Sequence, residues 1–192
     1  MAERADVGAI RRAQIVEAAS RVIARKGFHN ATLAEVEAEA GISRGMMTYH
    51  FPTKEGMVLA VFDSLLDRLR PVVDLPAATP GRSRAERLID ALLVERPPDA
   101  EAQSLLHTFL AQIGHRDDYR SRLAFVLAAL RDDLAAVFPT CADPSATASI
   151  ILGAILGAWT QLQVEPSALE PSRLAAALKR SLSSLISPPS AH

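Results

Sequence analysis

A chain of 192 residues with one cysteine cannot hold an internal disulfide or a thiolate zinc cluster, and with a charged start, MAERADVGAIRR, that lacks the apolar core of a secretory signal, it is expected in a reducing cytoplasm. It is 49% hydrophobic but only 5% aromatic, rich in Ala, Leu, Glu and Arg and without an alternating strand segment, which predicts an all-α protein. The net charge of −1 does not exclude a nucleic-acid partner, because a basic surface can be local.

Helical periodicity begins near Ile10, where Ile15, Ala18, Ala19, Val22 and Ile23 form an apolar stripe. Arg11, Arg12, Arg21, Arg25 and Lys26 are left for water or phosphate. Gly27 ends this helix. Thr32 offers a hydroxyl cap with Glu35 three positions on, the capping-box spacing, so a second helix runs from Leu33 to Ala40 and stops at Gly41. Ser43 caps a third short helix to Phe51, and Pro52 with Thr53 restarts the chain into a fourth through Leu69. The Pro/Gly-punctuated stretch RPVVDLPAATPGRS, residues 70–83, breaks the pattern, so the two helical blocks part within or just before it.

Longer helices follow over Ser83–Glu95, Ala100–Gly114, Asp117–Phe138, Pro144–Val164 and Pro171–Ile186, and SPPSAH reads as a frayed tail. The segment Pro144–Val164 carries no charge and could span a bilayer by length. Its Ser, Thr and Gln content and the absence of basic or aromatic anchors at both ends favour a buried helix of a protein that does not enter the membrane.

Two short helices joined by AGIS suggest a helix-turn-helix. On a helical wheel Met47 and Phe51 fall together, Gly45 and Tyr49 point the other way, and Arg44, Met46, Thr48 and His50 flank them. Met47 and Phe51 can anchor the helix. Arg44 can donate in a fork to guanine, Thr48 can meet a base edge or a thymine methyl, and Met46 offers an apolar contact. Tyr49, His50 and Lys54 can serve phosphate oxygens. Apart from Glu55, GISRGMMTYHFPTKEG is free of acids, as suits a surface facing phosphates spaced about every 1.7 Å along the duplex axis.

Residues 11–62 resemble the amino-terminal domain of the tetracycline-repressor (TetR) family of bacterial transcriptional regulators, through KGF, the Thr32 cap, AGIS with Gly45, YHF and KEGMVLAV. The resemblance implies an all-α homodimer of about nine helices, with a three-helix helix-turn-helix domain over residues 1–54 and a helical regulatory, ligand-binding and dimerisation domain over 55–192. It implies paired reading helices in successive major grooves of a near-palindromic double-stranded operator, released by a small apolar or amphipathic effector. The DNA-contact set carried over by position is Thr32, Ser43, Arg44, Gly45, Met46, Thr48, Tyr49, His50 and Lys54. Glu37 stands where the family commonly has Ala, and MMT at 46–48 replaces a more usual Thr-Leu-Tyr. The operator sequence is therefore less transferable than the binding mode.

In the eighth predicted helix Ile150, Gly153, Ala154, Gly157 and Gln161 share a narrow stripe of mostly small residues, opposite Ile151, Ile155, Trp159 and Leu162. We read Gly153, Ala154, Gly157 and Gln161 as a homodimer seam completed by Leu174, Leu178, Leu182 and Leu185 of the last helix. Two core helices of a monomer are the other reading of the same stripe. Phe109, Phe125 and Trp159 are candidates for an apolar effector cavity, and Trp159 would equally suit a dimer contact. His107 lies off its apolar face, and His115 with Asp117 and Asp118 makes too weak a donor set for a metal, so neither metal nor cofactor is expected. Function thus reads as a ligand-responsive DNA-binding regulator, most simply a repressor. The alternatives are an all-helical enzyme, for which no nucleophile–base pair, phosphate loop or metal motif stands out, and a helical protein-interaction dimer without DNA binding.

Overall fold

A computed structural model of the chain describes residues 2–69, 82–95, 97–138, 141–167 and 169–186. The bulk of the Pro/Gly stretch, the tail SPPSAH and the side chain of Leu185 lie outside the described residues. Among the described residues there are nine α-helices and no strand: α1 (Ala2–Lys26), α2 (Leu33–Ala40), α3 (Arg44–His50), α4 (Lys54–Leu69), α5 (Arg82–Asp90), α6 (Ala100–Leu110), α7 (Asp117–Ala135), α8 (Pro144–Val164) and α9 (Pro171–Ile186). A π-helical turn, Ala91–Glu95, extends α5.

The helices group into two compact units. One holds α1–α4, α6 and α7 as far as Leu123; the other holds α5, the π-turn, the rest of α7, α8 and α9. In the first, α1 packs against α2, α4 and α6, and α4 against α6. Ile15, Ala18, Ala19, Val22 and Ile23 are buried as their spacing requires, against Met57, Val58, Val61, Phe62 and Leu65 of α4 and Leu105 and Phe109 of α6 in one core. The Ser104 hydroxyl donates to the Ala24 carbonyl at 3.0 Å and Arg68 pairs with Glu101 at 3.1 Å. Phe62, Phe109 and Tyr119 stack with centroids 4.5–5.4 Å apart, and the Arg116 guanidinium lies 4.5 Å over the Tyr119 ring.

α1 begins at Ala2 rather than near Ile10. Adding turns to a formed helix needs no new nucleus, so a stretch of Ala, Glu and Arg continues it without an apolar face; Val7 and Ile10 are exposed there. α6 stops at Leu110, four residues short of the expected end, because the chain tightens into three-residue turns, with Gln112 N–H donating to the Phe109 carbonyl and His115 N–H to that of Gln112, both at 2.9 Å. α7 likewise ends at Ala135 in a tightened turn that delivers Val137 and Phe138 to the interior.

In the second unit, the helix expected over Ser83–Glu95 is split into α5 and the wider π-turn. In this π register the carbonyls of Leu92 and Leu93 would need the amides of Pro97 and Pro98, which carry no hydrogen. The Leu92 carbonyl instead accepts the buried indole N–H of Trp159 from α8 at 3.0 Å, and Lys179 of α9 holds both Asp90 oxygens at 2.6 and 2.8 Å. α8 starts on Asp143, whose carboxylate accepts the Ala146 N–H at 2.9 Å, with Pro144 in its first turn.

Candidate nucleic-acid interface

α2 and α3 are set by their caps. The Thr32 side chain accepts the Glu35 N–H at 3.3 Å and the Glu35 carboxylate returns to the Thr32 N–H at 3.0 Å, the reciprocal capping box. Gly41 ends α2 at φ 63°, a left-handed conformation costly for other L-residues. Two residues on, Ser43 accepts the Met46 N–H at 3.4 Å and starts α3. The helix-turn-helix geometry thus comes from four residues, Thr32, Glu35, Gly41 and Ser43, that satisfy or redirect backbone groups.

α3 is two-faced. Met47 is 1% exposed and Phe51 3%, whereas Tyr49 is 81% exposed and Arg44, Gly45, Met46 and Thr48 are also exposed. His50 is half-buried and meets the Tyr49 ring edge to face, centroids 5.0 Å apart. A Cβ at Gly45 would meet only the Ser43 hydroxyl, at 4.0 Å, so glycine's cost of about 1 kcal/mol in a helix is not incurred to fit the protein to itself. It leaves room for close approach from outside.

Some side chains are already partly engaged. The Thr48 hydroxyl donates to the Arg44 carbonyl at 3.0 Å, leaving its lone pairs outward. Thr32 is occupied by its capping box. Lys54 donates to the Phe28 carbonyl at 3.3 Å with its ammonium 5.6 Å from the Phe28 ring, so its charge is held at the turn between α1 and α2. Two carboxylates of α2 are paired: Glu39 with Arg21 and Arg25 at 2.8 and 2.7 Å, and Glu35 with Lys26. Hydrogen bonds from Arg25 and then Arg21 hold the Glu39 carboxyl below the usual range, and Lys26, followed by Thr32, lowers Glu35 to about 2.

The remaining sequence candidates are dispersed. Phe109 is fully buried in the aromatic cluster of the first unit. In the second, Phe125 is 70% exposed and Trp159 is buried against Leu92. On α8, Gly153 and Gln161 are exposed and Ala154 and Gly157 half-buried, with nothing within 4 Å of a Cβ at either glycine. Ile150 and Val164 extend that uncovered stripe. The opposite face, Thr147, Ala148, Ile151, Ile155, Ala158 and Trp159, is buried. α8 is long and apolar enough to cross a membrane by length and composition, with 33% of its apolar window buried. On α9, Leu174 and Leu178 are half-buried. Leu182, at 0% exposure, has no surface to offer a partner and packs inside its own unit. Asp118 pairs with Arg116 at 2.8 Å.

An all-α fold that caps a short helix, anchors it by one face and exposes its donors on the other defines a helix-turn-helix DNA-binding protein. Residues 15–61 match the bacterial regulatory proteins of the tetR family, and residues 80–187 match the C-terminal part of the BetI-type transcriptional repressors. The chain belongs to the tetR family of bacterial transcriptional regulators, DNA-binding proteins rather than enzymes.

The HTH-type transcriptional regulator CymR of Pseudomonas putida is 32% identical over 119 residues, 62% of this chain and 51% of CymR. The chain spans about half, or less, of the length of the curated relatives it matches. A transcriptional regulator from Rhodococcus sp. Rha1 superposes with a TM-score of 0.78 at 20% identity, covering 91% of this chain and 95% of that one. A transcriptional regulator from Saccharomonospora viridis in complex with choline gives 0.75 at 21% identity, covering 90% and 95%. These two likenesses concern the fold alone.

Proposed function

We propose that the protein is a ligand-responsive repressor of the cytoplasm that binds a near-palindromic operator as a homodimer and is released by a small apolar or amphipathic effector. The observation that carries this reading is the division of α3, Met47 and Phe51 inside, Arg44, Gly45, Met46, Thr48 and Tyr49 outside. Residues 1–54 are assigned to DNA, with Thr32 and Ser43 as cap residues at the backbone and His50 and Lys54 as phosphate partners; 55–192 are assigned to regulation and dimerisation. The uncovered stripe Ile150, Gly153, Gly157, Gln161 supports α8 as the seam, with Leu174 and Leu178 of α9 beside it. The BetI-type match supports the repressor reading, and the choline held by the Saccharomonospora protein supports a small-molecule effector. Phe125 and Trp159 are the aromatic candidates for it in the second unit and Phe109 in the first.

The test is selection of fragments bound by the full chain from a random duplex pool, repeated with choline present. Enrichment of a near-palindrome is expected, and an unenriched pool would overturn the reading. Arg44→Ala is expected to cost about 1 to 3 kcal/mol at one base pair and relax specificity there. Equal loss on selected and random duplexes would remove Arg44 from base reading.

A further inference from the structure

The cations of α1 are not equivalent. Arg21 and Arg25 are held by Glu39 at 2.8 and 2.7 Å, Arg21 also reaches Glu17 at 2.9 Å, and Lys26 is bonded to Glu35. Arg11 donates to Gln14 on its own helix at 2.9 Å. Arg12 is exposed and makes no ion pair among the described residues; its guanidinium carbon stands 4.6 Å from the centroid of the Phe51 ring.

Phe51 is the C-cap of α3, next to His50 and close in sequence to Lys54. A guanidinium on an aromatic face keeps its in-plane N–H donors, is weakly hydrated, and loses little freedom when it then meets an anion. We infer that Arg12 is a further phosphate-binding residue of the interface, positioned by Phe51 at the carboxy-terminal end of the reading helix. Its neighbours on α1 have their charge or donors committed within the protein; Arg12 keeps both and lies against the helix that reads DNA. The inference rests on α3 facing the duplex.

The test is binding of the full chain to a random-sequence duplex between about 50 and 200 mM salt, followed by anisotropy, with unfolding measured on each variant. Losing one phosphate contact per head lowers the slope of log affinity against log salt by about 0.9 per head, about 1.8 for a two-headed complex. Arg12→Ala is expected to show that fall. Arg12→Gln, which keeps a planar group on Phe51 without the charge, should show it too and stands in if the alanine variant does not fold. Arg12→Lys should hold the slope at weaker affinity, and Arg25→Ala, whose partner is Glu39, should hold the slope.

A wild-type slope in a folded Arg12→Ala or Arg12→Gln protein would overturn the inference, whether or not affinity changed, since a clamp on Phe51 alone does not alter charge neutralised on DNA. Combined Arg44→Ala and Tyr49→Ala, measured on the selected duplex rather than the random one, separates the two failures. If it abolishes binding while Arg12 variants keep the wild-type slope, only the assignment of Arg12 falls; if it too leaves binding intact, the orientation of α3 falls and Arg12 with it.

Discussion

α3 and α8 both present a side that the protomer leaves uncovered, but of opposite chemistry. α3 turns out Arg44, Thr48 and Tyr49 around a bare Gly45, whereas α8 turns out Ile150, Gly153, Gly157 and Val164 with no charge along its length. Donors around a glycine suit a polyanion that must come close, because each phosphate or base edge needs a hydrogen-bonding partner. Small apolar residues suit another helix, because missing side-chain volume lets backbones approach and remove apolar surface from water. Uncovered glycine therefore means different things on the two helices, and the flanking side chains decide which.

The sharpest way to break this comparison is to fill the α8 stripe. Gly157→Leu puts a bulky side chain where a Cβ has nothing within 4 Å and should block a facing helix, with thermal unfolding to check that the chain still folds. Sedimentation is expected to give a monomer, and DNA affinity should fall by about 100-fold or more as the second half-site is lost. A dimer of unchanged stability would remove Gly157 from the seam.

Next in size is the contrast within α3 between two adjacent methionines. Met47→Ala empties a buried site and should destabilise the fold by about 2 to 5 kcal/mol, while Met46→Ala, at an exposed position, should stay within about 0.5 kcal/mol and act on operator preference instead. Denaturant unfolding of both variants checks the order; similar losses would mean that the two faces of α3 are not distinct.

How far the sequence carries can be judged on these helices. α2, α8 and α9 have the bounds read from the sequence, because the Thr32 cap and Gly41 stop of α2 and the prolines that open α8 and α9, Pro144 and Pro171, are local signals that packing did not override. The sides of α3 were legible from a helical wheel for the same reason. Partner choice was not: nothing in the spacing says that Arg21 and Arg25 will be taken by Glu39 while Arg12 stacks on Phe51, since those contacts join residues brought together only by folding. The π-turn was half-legible. Pro97 and Pro98 announce missing donors, but that Trp159 supplies one to Leu92 needed the fold.

Gly45→Ala sharpens the meaning of the α3 glycine. Alanine should stabilise the helix by up to about 1 kcal/mol, with no clash inside the protein, while weakening binding to every duplex by holding the backbone further away. Stability and affinity moving in opposite directions would mark the gap as reserved for DNA. Unchanged affinity would make Gly45 a tolerated residue without a role.

The smallest effect concerns the hinge side of the helix-turn-helix, where Glu35 joins Lys26 to the cap of α2. Its carboxyl titrates at about 2 instead of the ordinary 4.5, first because Lys26 donates to it and then because the Thr32 backbone and hydroxyl do. A carboxyl lowered on folding adds stability that is fully present above its unfolded value and drains away as pH falls towards the folded one. Because the group is exposed, the gain is modest. Glu35→Gln should melt slightly below the wild type at pH 6, the gap should narrow from about pH 4.5 downward, and it should close near pH 2. A gap of constant width over that interval would mean that the carboxylate's charge contributes nothing and that only its shape, which glutamine shares, supports the cap.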